Sequence, residues 1–166
     1  ASLSRFGVKY LGADGDLHKI IRSRTSAVIG LGQIESPEPR IAIGEMLVQR
    51  KILVPPIIAA SATFSQLSAI GKGSVVLHKA LVNADSRIGA FNIINSGAII
   101  EHGVCTENYV HVAPGAIILG DVSIGMGSFI GAGAIVREGV KVGNRCLIGA
   151  GTFIHRDVAD DQVIRL

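Results

Sequence analysis

The chain has 166 residues, enough for one sizeable core, and 16 basic against 13 acidic side chains give it a net charge of +3. The basic residues are scattered and aromatic residues make up only 4% of the chain, so nucleic acid is not an expected partner. Two cysteines are too few for a disulfide framework and no signal peptide opens the chain, so a cytoplasmic protein is expected.

The N-terminal third alternates predicted strands and helices. The segment VKYLGADGDLHKII (8–21) ends a strand, turns through glycines and continues as an amphipathic helix. Ala27–Gly30 is predicted as a buried strand, and PRIAIGEMLVQRK (39–51) as a helix whose first turn holds Pro39. This order predicts a partial small α/β domain, Rossmann-like in character, over residues 1–57.

One glycine-bearing piece within this region, IGLGQ (29–33), follows the predicted strand. A tight turn and a phosphate-binding loop are both compatible with it. The chain contains no complete G-x-G-x-x-G, so the tight turn is the favoured interpretation.

From residue 58 onward the sequence repeats every six residues. A column read at every sixth position has 17 members, and 15 of them are Ile or Val. The column comprises Ile58, Phe64, Ile70, Val76, Val82, Ile88, Ile94, Ile100, Thr106, Val112, Ile118, Ile124, Ile130, Val136, Val142, Ile148 and Ile154. A second column, four places later, holds mostly small residues from Ala62 to Val158, and glycine follows the aliphatic residue in several repeats. A period of six fits neither an amphipathic helix nor simple strand alternation.

Such a repeat predicts a mainly β fold, a parallel β-helix over residues 58–166. Each hexad supplies a short strand and a corner, and three hexads close a coil of 18 residues. The aliphatic residue points inward, the small residue fits beneath a corner, and the glycine is expected to relieve backbone strain. An ordinary β-sandwich would not place its turns at fixed intervals. The apolar stretch 117–136 keeps the same period and contains charge, so no membrane-spanning helix is expected.

Two histidines lie within this regular region. His102 is a candidate general base, because imidazole exchanges protons near neutral pH. Gly120 follows it by 18 residues, so the two stack about 4.8 Å apart, and the Gly120 N–H is a candidate oxyanion donor. His111 is half a coil from His102 and faces another side of the β-helix. The two histidines could meet only across a three-fold interface, which predicts a homotrimer with sites at its seams.

The orienting partner of His102 is left open by the sequence. Glu101 is adjacent, but neighbouring strand residues point to opposite faces. Glu107, Asp121, a backbone carbonyl or a group from another subunit are the alternatives.

The segment NSGAIIEHGVCTENYVHVAPGAIILGDVSIG (95–125) resembles the motif of the NeuD/PglD family of sugar acyltransferases. That motif combines Asn-x-x-x-x-x-Glu-His, a second histidine and Gly-(Asn/Asp)-Val-x-Ile-Gly. The resemblance implies that the β-helix winds left-handed and that the region 1–57 binds a nucleotide-linked sugar. It also implies that acetyl-CoA, the co-substrate, binds between subunits of the trimer.

Carried over by position, the resemblance assigns catalytic roles to His102 and Gly120. Asn95 would touch the pantetheine arm, His111 would lie beside the acyl donor or the substrate, and the Gly120 amide would face the thioester carbonyl. No metal is implied. Gly103 stands where the family has an acidic residue after the base.

The implied reaction is N-acetylation of a UDP-4-amino-4,6-dideoxy sugar for surface glycan biosynthesis. O-acetylation of a sugar, of the sialic-acid type, is one alternative. A zinc-dependent β-helix enzyme and a non-catalytic assembly are the others, although the chain has no H-x-x-x-x-H pair to bind zinc.

Overall fold

The computed structural model describes residues 7–13, 16 and 26–165. Within them lie one helix, α1 (Glu38–Gln49), and eighteen two-residue strands in three parallel sheets. The seven-stranded sheet comprises β1 (Ile57–Ile58), β4 (Val75–Val76), β7 (Ile93–Ile94), β10 (His111–Val112), β13 (Phe129–Ile130), β16 (Leu147–Ile148) and β18 (Val163–Ile164). The six-stranded sheet comprises β2 (Thr63–Phe64), β5 (Leu81–Val82), β8 (Ile99–Ile100), β11 (Ile117–Ile118), β14 (Ile135–Val136) and β17 (Phe153–Ile154). The five-stranded sheet comprises β3 (Ala69–Ile70), β6 (Arg87–Ile88), β9 (Cys105–Thr106), β12 (Ser123–Ile124) and β15 (Lys141–Val142).

Consecutive coils stack with a register of 18 residues, as the repeat predicts. Ile57 pairs with Val75, and His111 pairs with Phe129. Three faces built in this way enclose one aliphatic core, which confirms the predicted left-handed parallel β-helix of about six coils. The second residue of each strand points inward, and so does the small-residue column.

The last coil is two residues shorter than the others. Leu147 pairs with Val163, and Val142 pairs with Val158, at a spacing of 16 residues. Val158 therefore takes an inward aliphatic position, and its placement in the small-residue column was wrong. Valine fits either column, so its side chain gives no signal of the shortened turn.

The corners show where backbone strain lies. The residue three places before an inward aliphatic residue has a left-handed backbone, as at Gly97 with φ 67° and Asp121 with φ 59°. The glycine that follows the aliphatic residue has an ordinary φ instead. A Cβ at Gly131 would lie 2.5 Å from the backbone nitrogen of Ala150 in the next coil. Glycine at this position permits close approach of coils, so the expectation that it relieves strain was wrong.

The N-terminal region packs onto one corner of the β-helix. Helix α1 confirms the predicted helix, with Pro39 in its first turn. The predicted strand at Ala27–Gly30 is wrong: among the described residues, the segment makes one isolated parallel bridge, between Ser26 and Leu53, and no strand. The helix predicted in 8–21 lies largely outside the described residues. The described residues do not form the partial α/β sheet, and the domain boundary at 57/58 stays a prediction.

Candidate active site

His102 and Gly120 are brought together at the corner that follows the six-stranded sheet. His102 is exposed, and Gly120, one coil further, is buried. A Cβ added at Gly120 would lie 2.6 Å from Cε1 and 2.8 Å from Nε2 of the His102 ring. The imidazole therefore covers the Cα of Gly120, and only glycine leaves it that space.

Two polar groups of this corner, the His102 ring and the Gly120 N–H, lack a protein partner in the described part of the chain. Among the described residues, the His102 ring makes no hydrogen bond or ion pair, and the Gly120 N–H has no acceptor. A buried N–H normally finds a partner, so an open one beside an imidazole suits a ligand carbonyl. The 18-residue spacing predicted this pairing.

The structure places two carboxylates near His102, Glu101, which the sequence analysis argued against, and Asp121, which it left open. Glu101 accepts a hydrogen bond from Nδ2 of Asn83 at 2.9 Å and is thus engaged away from the base. Asp121 donates its backbone N–H to the carbonyl of His102 at 3.0 Å. Its Oδ1 occupies the space that a side chain on Gly103 would enter. A carboxylate thus stands beside the residue after His102, although it comes from the next coil.

Asn95 and His111 form a second pair on the seven-stranded sheet. Nδ2 of Asn95 lies 3.1 Å from Nε2 of His111, and Oδ1 of Asn95 accepts the N–H of Ser96 at 2.8 Å. His111 is 7% exposed, with Phe129 edge-on at 5.1 Å between ring centroids. Burial lowers the pKa of His111, a hydrogen bond to the Gln33 carbonyl opposes that shift, and the Arg40 charge adds to it.

The two pairs lie on different parts of one chain. His102 and Gly120 follow strands β8 and β11 of the six-stranded sheet, whereas His111 lies in β10 of the seven-stranded sheet. The four predicted site residues therefore do not converge within a single subunit. The sequence analysis anticipated this separation from the half-coil spacing of the histidines.

Gln33 and Arg40 are two buried residues that the sequence analysis missed. Nε2 of Gln33 donates to the carbonyls of Tyr109 at 2.8 Å and Gly127 at 3.1 Å. The guanidinium of Arg40, 1% exposed, donates to the carbonyls of Leu31 and Phe91. No periodic signal marks these residues, because both come from the irregular region and bond to distant corners.

The outward faces of two sheets differ sharply in polarity. The outward residues of the six-stranded sheet are Thr63, Leu81, Ile99, Ile117, Ile135 and Phe153. Those of the five-stranded sheet are Ala69, Arg87, Cys105, Ser123 and Lys141. An apolar stripe five coils long, half-exposed in one chain and ending in a Phe153 that is 55% exposed, is typical of an interface.

Three cavities formed by described residues have linings that do not include His102. One, of about 290 Å³, is at the C-terminal end of the β-helix, lined by Phe153, His155 and Val158 among others. In the described part of the chain, no cluster of three or more His, Cys, Asp or Glu side chains could hold a metal ion. None of the described helices has the length and apolar character needed to cross a bilayer.

Comparisons with known proteins define the class first. Residues 121–156 match the family model for bacterial transferase hexapeptide repeats (six repeats). A UDP-N-acetylglucosamine acyltransferase from Bacteroides fragilis shares the fold at 16% identity, over 65% of this chain and 57% of its own, with a TM-score of 0.52. A comparison with curated protein sequences gave no match. Fold and repeat thus define a hexapeptide-repeat β-helix protein.

Two solved structures narrow the class to a family. The acetyltransferase domain of PglB from Neisseria gonorrhoeae is 31% identical, with a TM-score of 0.90 over 95% of this chain and 76% of its own. A histidine-to-asparagine variant of perosamine N-acetyltransferase from Caulobacter crescentus, in complex with CoA and GDP-perosamine, is 28% identical, with a TM-score of 0.88 over 95% and 74%. The chain belongs to the sugar acyltransferases of the hexapeptide β-helix type, which confirms the NeuD/PglD-like family and the acyltransferase class predicted from the sequence.

Proposed function

We propose that the protein transfers the acetyl group of acetyl-CoA to the amino group of a nucleotide-linked sugar, a UDP-4-amino-4,6-dideoxy sugar destined for surface glycans. The observation that carries this proposal is the imidazole of His102, which has no partner among the described residues and is stacked over Gly120. Further support comes from the similar structures, one of which holds CoA and GDP-perosamine and another acetyl-CoA.

The reaction assigns one role to each member of the stacked pair. His102 accepts a proton from the sugar amine as its nitrogen attacks the thioester carbonyl carbon, a role worth on the order of 10²–10⁴-fold in rate. The Gly120 N–H donates to the oxygen that becomes negative. The C–N bond forms, the C–S bond breaks, and the proton held by His102 passes to the departing thiolate. The products are an amide and CoA with a free thiol.

Asp121 is the carboxylate that we assign to His102. Asp121 Oδ1 fills the space above Gly103. The chain thus has a carboxylate beside the residue after His102, supplied by the next coil and not by residue 103 itself. A carboxylate near an imidazole favours the protonated ring that forms during transfer. The carboxylate of Asp121 makes no hydrogen bond or ion pair with the described residues, which leaves it available for this role.

The functional unit in this proposal is a homotrimer with the donor at its seams. A closed three-fold ring would bury the apolar stripe of the six-stranded sheet and leave the polar five-stranded sheet in solvent. His102 borders that stripe, and Asn95 and His111 lie on another sheet. A neighbouring subunit would bring its Asn95 side to this corner, where Asn95 would contact the pantetheine arm.

The cellular setting in this proposal is the cytoplasm, where acetyl-CoA and nucleotide-activated sugars are both available. Cys105 and Cys146 are free thiols, as is usual for a reducing compartment.

Thiol release tests the reaction. The protein is mixed with acetyl-CoA, a thiol reagent and one acceptor from a panel of UDP- and GDP-linked 4-amino sugars and the corresponding hydroxyl sugars. We expect CoA release with an amino sugar and not with its hydroxyl counterpart. Release only with hydroxyl sugars would establish O-acetylation instead. If none of the acceptors supports CoA release, the proposal is contradicted.

Sedimentation equilibrium tests the trimer with a matched pair of variants. Ile117→Asp places a charge in the middle of the apolar stripe, whereas Ser123→Asp places the same charge at the corresponding strand position of the five-stranded sheet. We expect the first to give monomers and the second to keep the mass of a trimer. Equal masses for the two variants would contradict the assignment of the interface.

A further inference from the structure

A chain of hydrogen bonds connects the N-terminal region to Asn95. The carbonyl of Gln33 accepts a hydrogen bond from Nδ1 of His111 at 2.5 Å, and Nε2 of His111 lies 3.1 Å from Nδ2 of Asn95. Gln33 is 3% exposed and His111 is 7% exposed, so water does not compete for the bond between them, whereas Asn95 is half-buried. Three residues separated by up to 78 positions in the sequence thus form one relay, buried at Gln33 and His111 and half-buried at Asn95.

The chemistry of the relay fixes one tautomer of His111. A carbonyl oxygen only accepts, so Nδ1 carries the proton and Nε2 presents a lone pair. That lone pair accepts from Nδ2 of Asn95, while Oδ1 of Asn95 accepts from Ser96. Turning the Asn95 amide by half a rotation would break both of its bonds. The Asn95 amide is therefore held in one orientation, with one N–H and one lone pair of Oδ1 left free.

The anchor of this relay is the side chain of Gln33. Its two N–H groups bond to the carbonyls of Tyr109 and Gly127, which occupy equivalent corners of successive coils. Arg40 secures the same segment by donating to carbonyls of the loop and of Phe91. The piece IGLGQ, predicted as a tight turn or a phosphate loop, ends on this anchor. Its last residue connects the N-terminal region to the β-helix.

We propose that Gln33 and His111 are positioning residues for the donor site, because together they set the orientation of the Asn95 amide toward the pantetheine arm. The inference rests on the proposed function, in which Asn95 contacts that arm. The N-terminal region then controls how well acetyl-CoA binds, and leaves the proton transfer at His102 unchanged. The N-terminal region and the donor site at Asn95 are thereby connected through one tautomer of His111.

Kinetics of Gln33→Ala test this proposal. Loss of the two anchoring bonds should raise KM for acetyl-CoA by about 5–20-fold and change kcat by less than about twofold, since only ground-state positioning is lost. Asn95→Ala should raise KM for acetyl-CoA by a similar factor. The double variant Gln33→Ala, Asn95→Ala should have the same KM as Asn95→Ala alone, because both substitutions act on one interaction. Gln49→Ala, on the exposed side of α1, is the matched control and should match the wild type.

A second readout gives its decisive result on the wild-type protein. Nitrogen-15 NMR of the imidazoles should show His111 with its proton on Nδ1 in the wild-type protein, and a mixture of tautomers in Gln33→Ala. A proton on Nε2 in the wild type would overturn the inference.

Failure of the inference is distinguishable from failure of the proposed function. An active wild type whose Gln33→Ala variant keeps its KM, or whose KM effects add with those of Asn95→Ala, overturns the relay alone. A wild type that releases no CoA with any acceptor overturns the proposed function and the relay with it.

Discussion

His102 and His111 lie nine residues apart on one β-helix, yet their surroundings are opposite. His102 is exposed, has no hydrogen-bond partner among the described residues, and lies over a glycine. His111 is buried, with both ring nitrogens engaged and the ring of Phe129 packed against it in a T-shaped arrangement. The first ring is free to exchange a proton with a ligand, and the second is held neutral as part of the packing. Two histidines of one motif thus divide chemistry and positioning between them.

Replacement of His102 should give the largest effect. His102→Ala removes the base and should lower kcat by about 10²–10⁴-fold. The side chain is exposed and makes no hydrogen bond to the described residues, so the midpoint of thermal unfolding should stay within a degree or so of the wild type. Steady-state CoA release and a melting curve check both. His155→Ala, at another exposed histidine, is the control, and an equal loss there would remove the distinction between the two regions.

An added methyl at Gly120 should displace the base without removing it. The new Cβ would lie 2.6 Å from Cε1 of His102, so the ring must move. We expect Gly120→Ala to lower kcat by about 10²-fold, the usual cost of a misplacement near 1 Å. Gly32→Ala adds the same group into open space and should be neutral. Wild-type kcat in Gly120→Ala would show that the stacked position is irrelevant to the reaction.

Neutralising Asp121 should lower kcat by less than the substitutions at His102 and Gly120. Asp121→Asn should lower kcat by about 10-fold, in line with the loss of other orienting groups. The double variant Gly103→Asp, Asp121→Gly returns the carboxylate to the residue after His102 and should recover part of that loss. Asp tolerates the left-handed backbone of this corner, as Asp121 itself shows. A double variant no better than Asp121→Asn would argue against the assignment.

The smallest effect should come from His111, and it concerns stability. Burial holds the pKa of this imidazole below its ordinary value of 6.5, with Arg40 adding to the shift. The unfolded chain therefore binds a proton more readily, and stability is lost as the pH falls below about 6.5. Between about pH 7.5 and pH 5.5, the wild-type unfolding midpoint should drop by about 2–5 °C more than that of His111→Gln. Parallel melting curves for the two proteins would contradict this.

The sequence could predict whatever follows from its six-residue period. One coil determines the next, so the stacking of His102 on Gly120 and the separation of His111 required only counting. The bonds of Gln33 and Arg40 connect an irregular segment to corners 51 to 94 residues away, and no pattern marks such contacts. Asp121 was one of a few alternatives from the sequence. Its position over Gly103 depends on a left-handed backbone at residue 121, which an aspartate can adopt but does not require.

Subunit mixing tests most directly whether the open histidine works at a seam. His102→Ala and Asn95→Ala proteins are unfolded together, refolded at equal amounts and assayed at acetyl-CoA well below KM. If His102 of one chain acts with Asn95 of its neighbour, about a quarter of the seams in randomly mixed trimers carry both intact residues. We therefore predict recovery of about a quarter of wild-type activity. A mixture no more active than the sum of its two components would contradict a site shared between subunits.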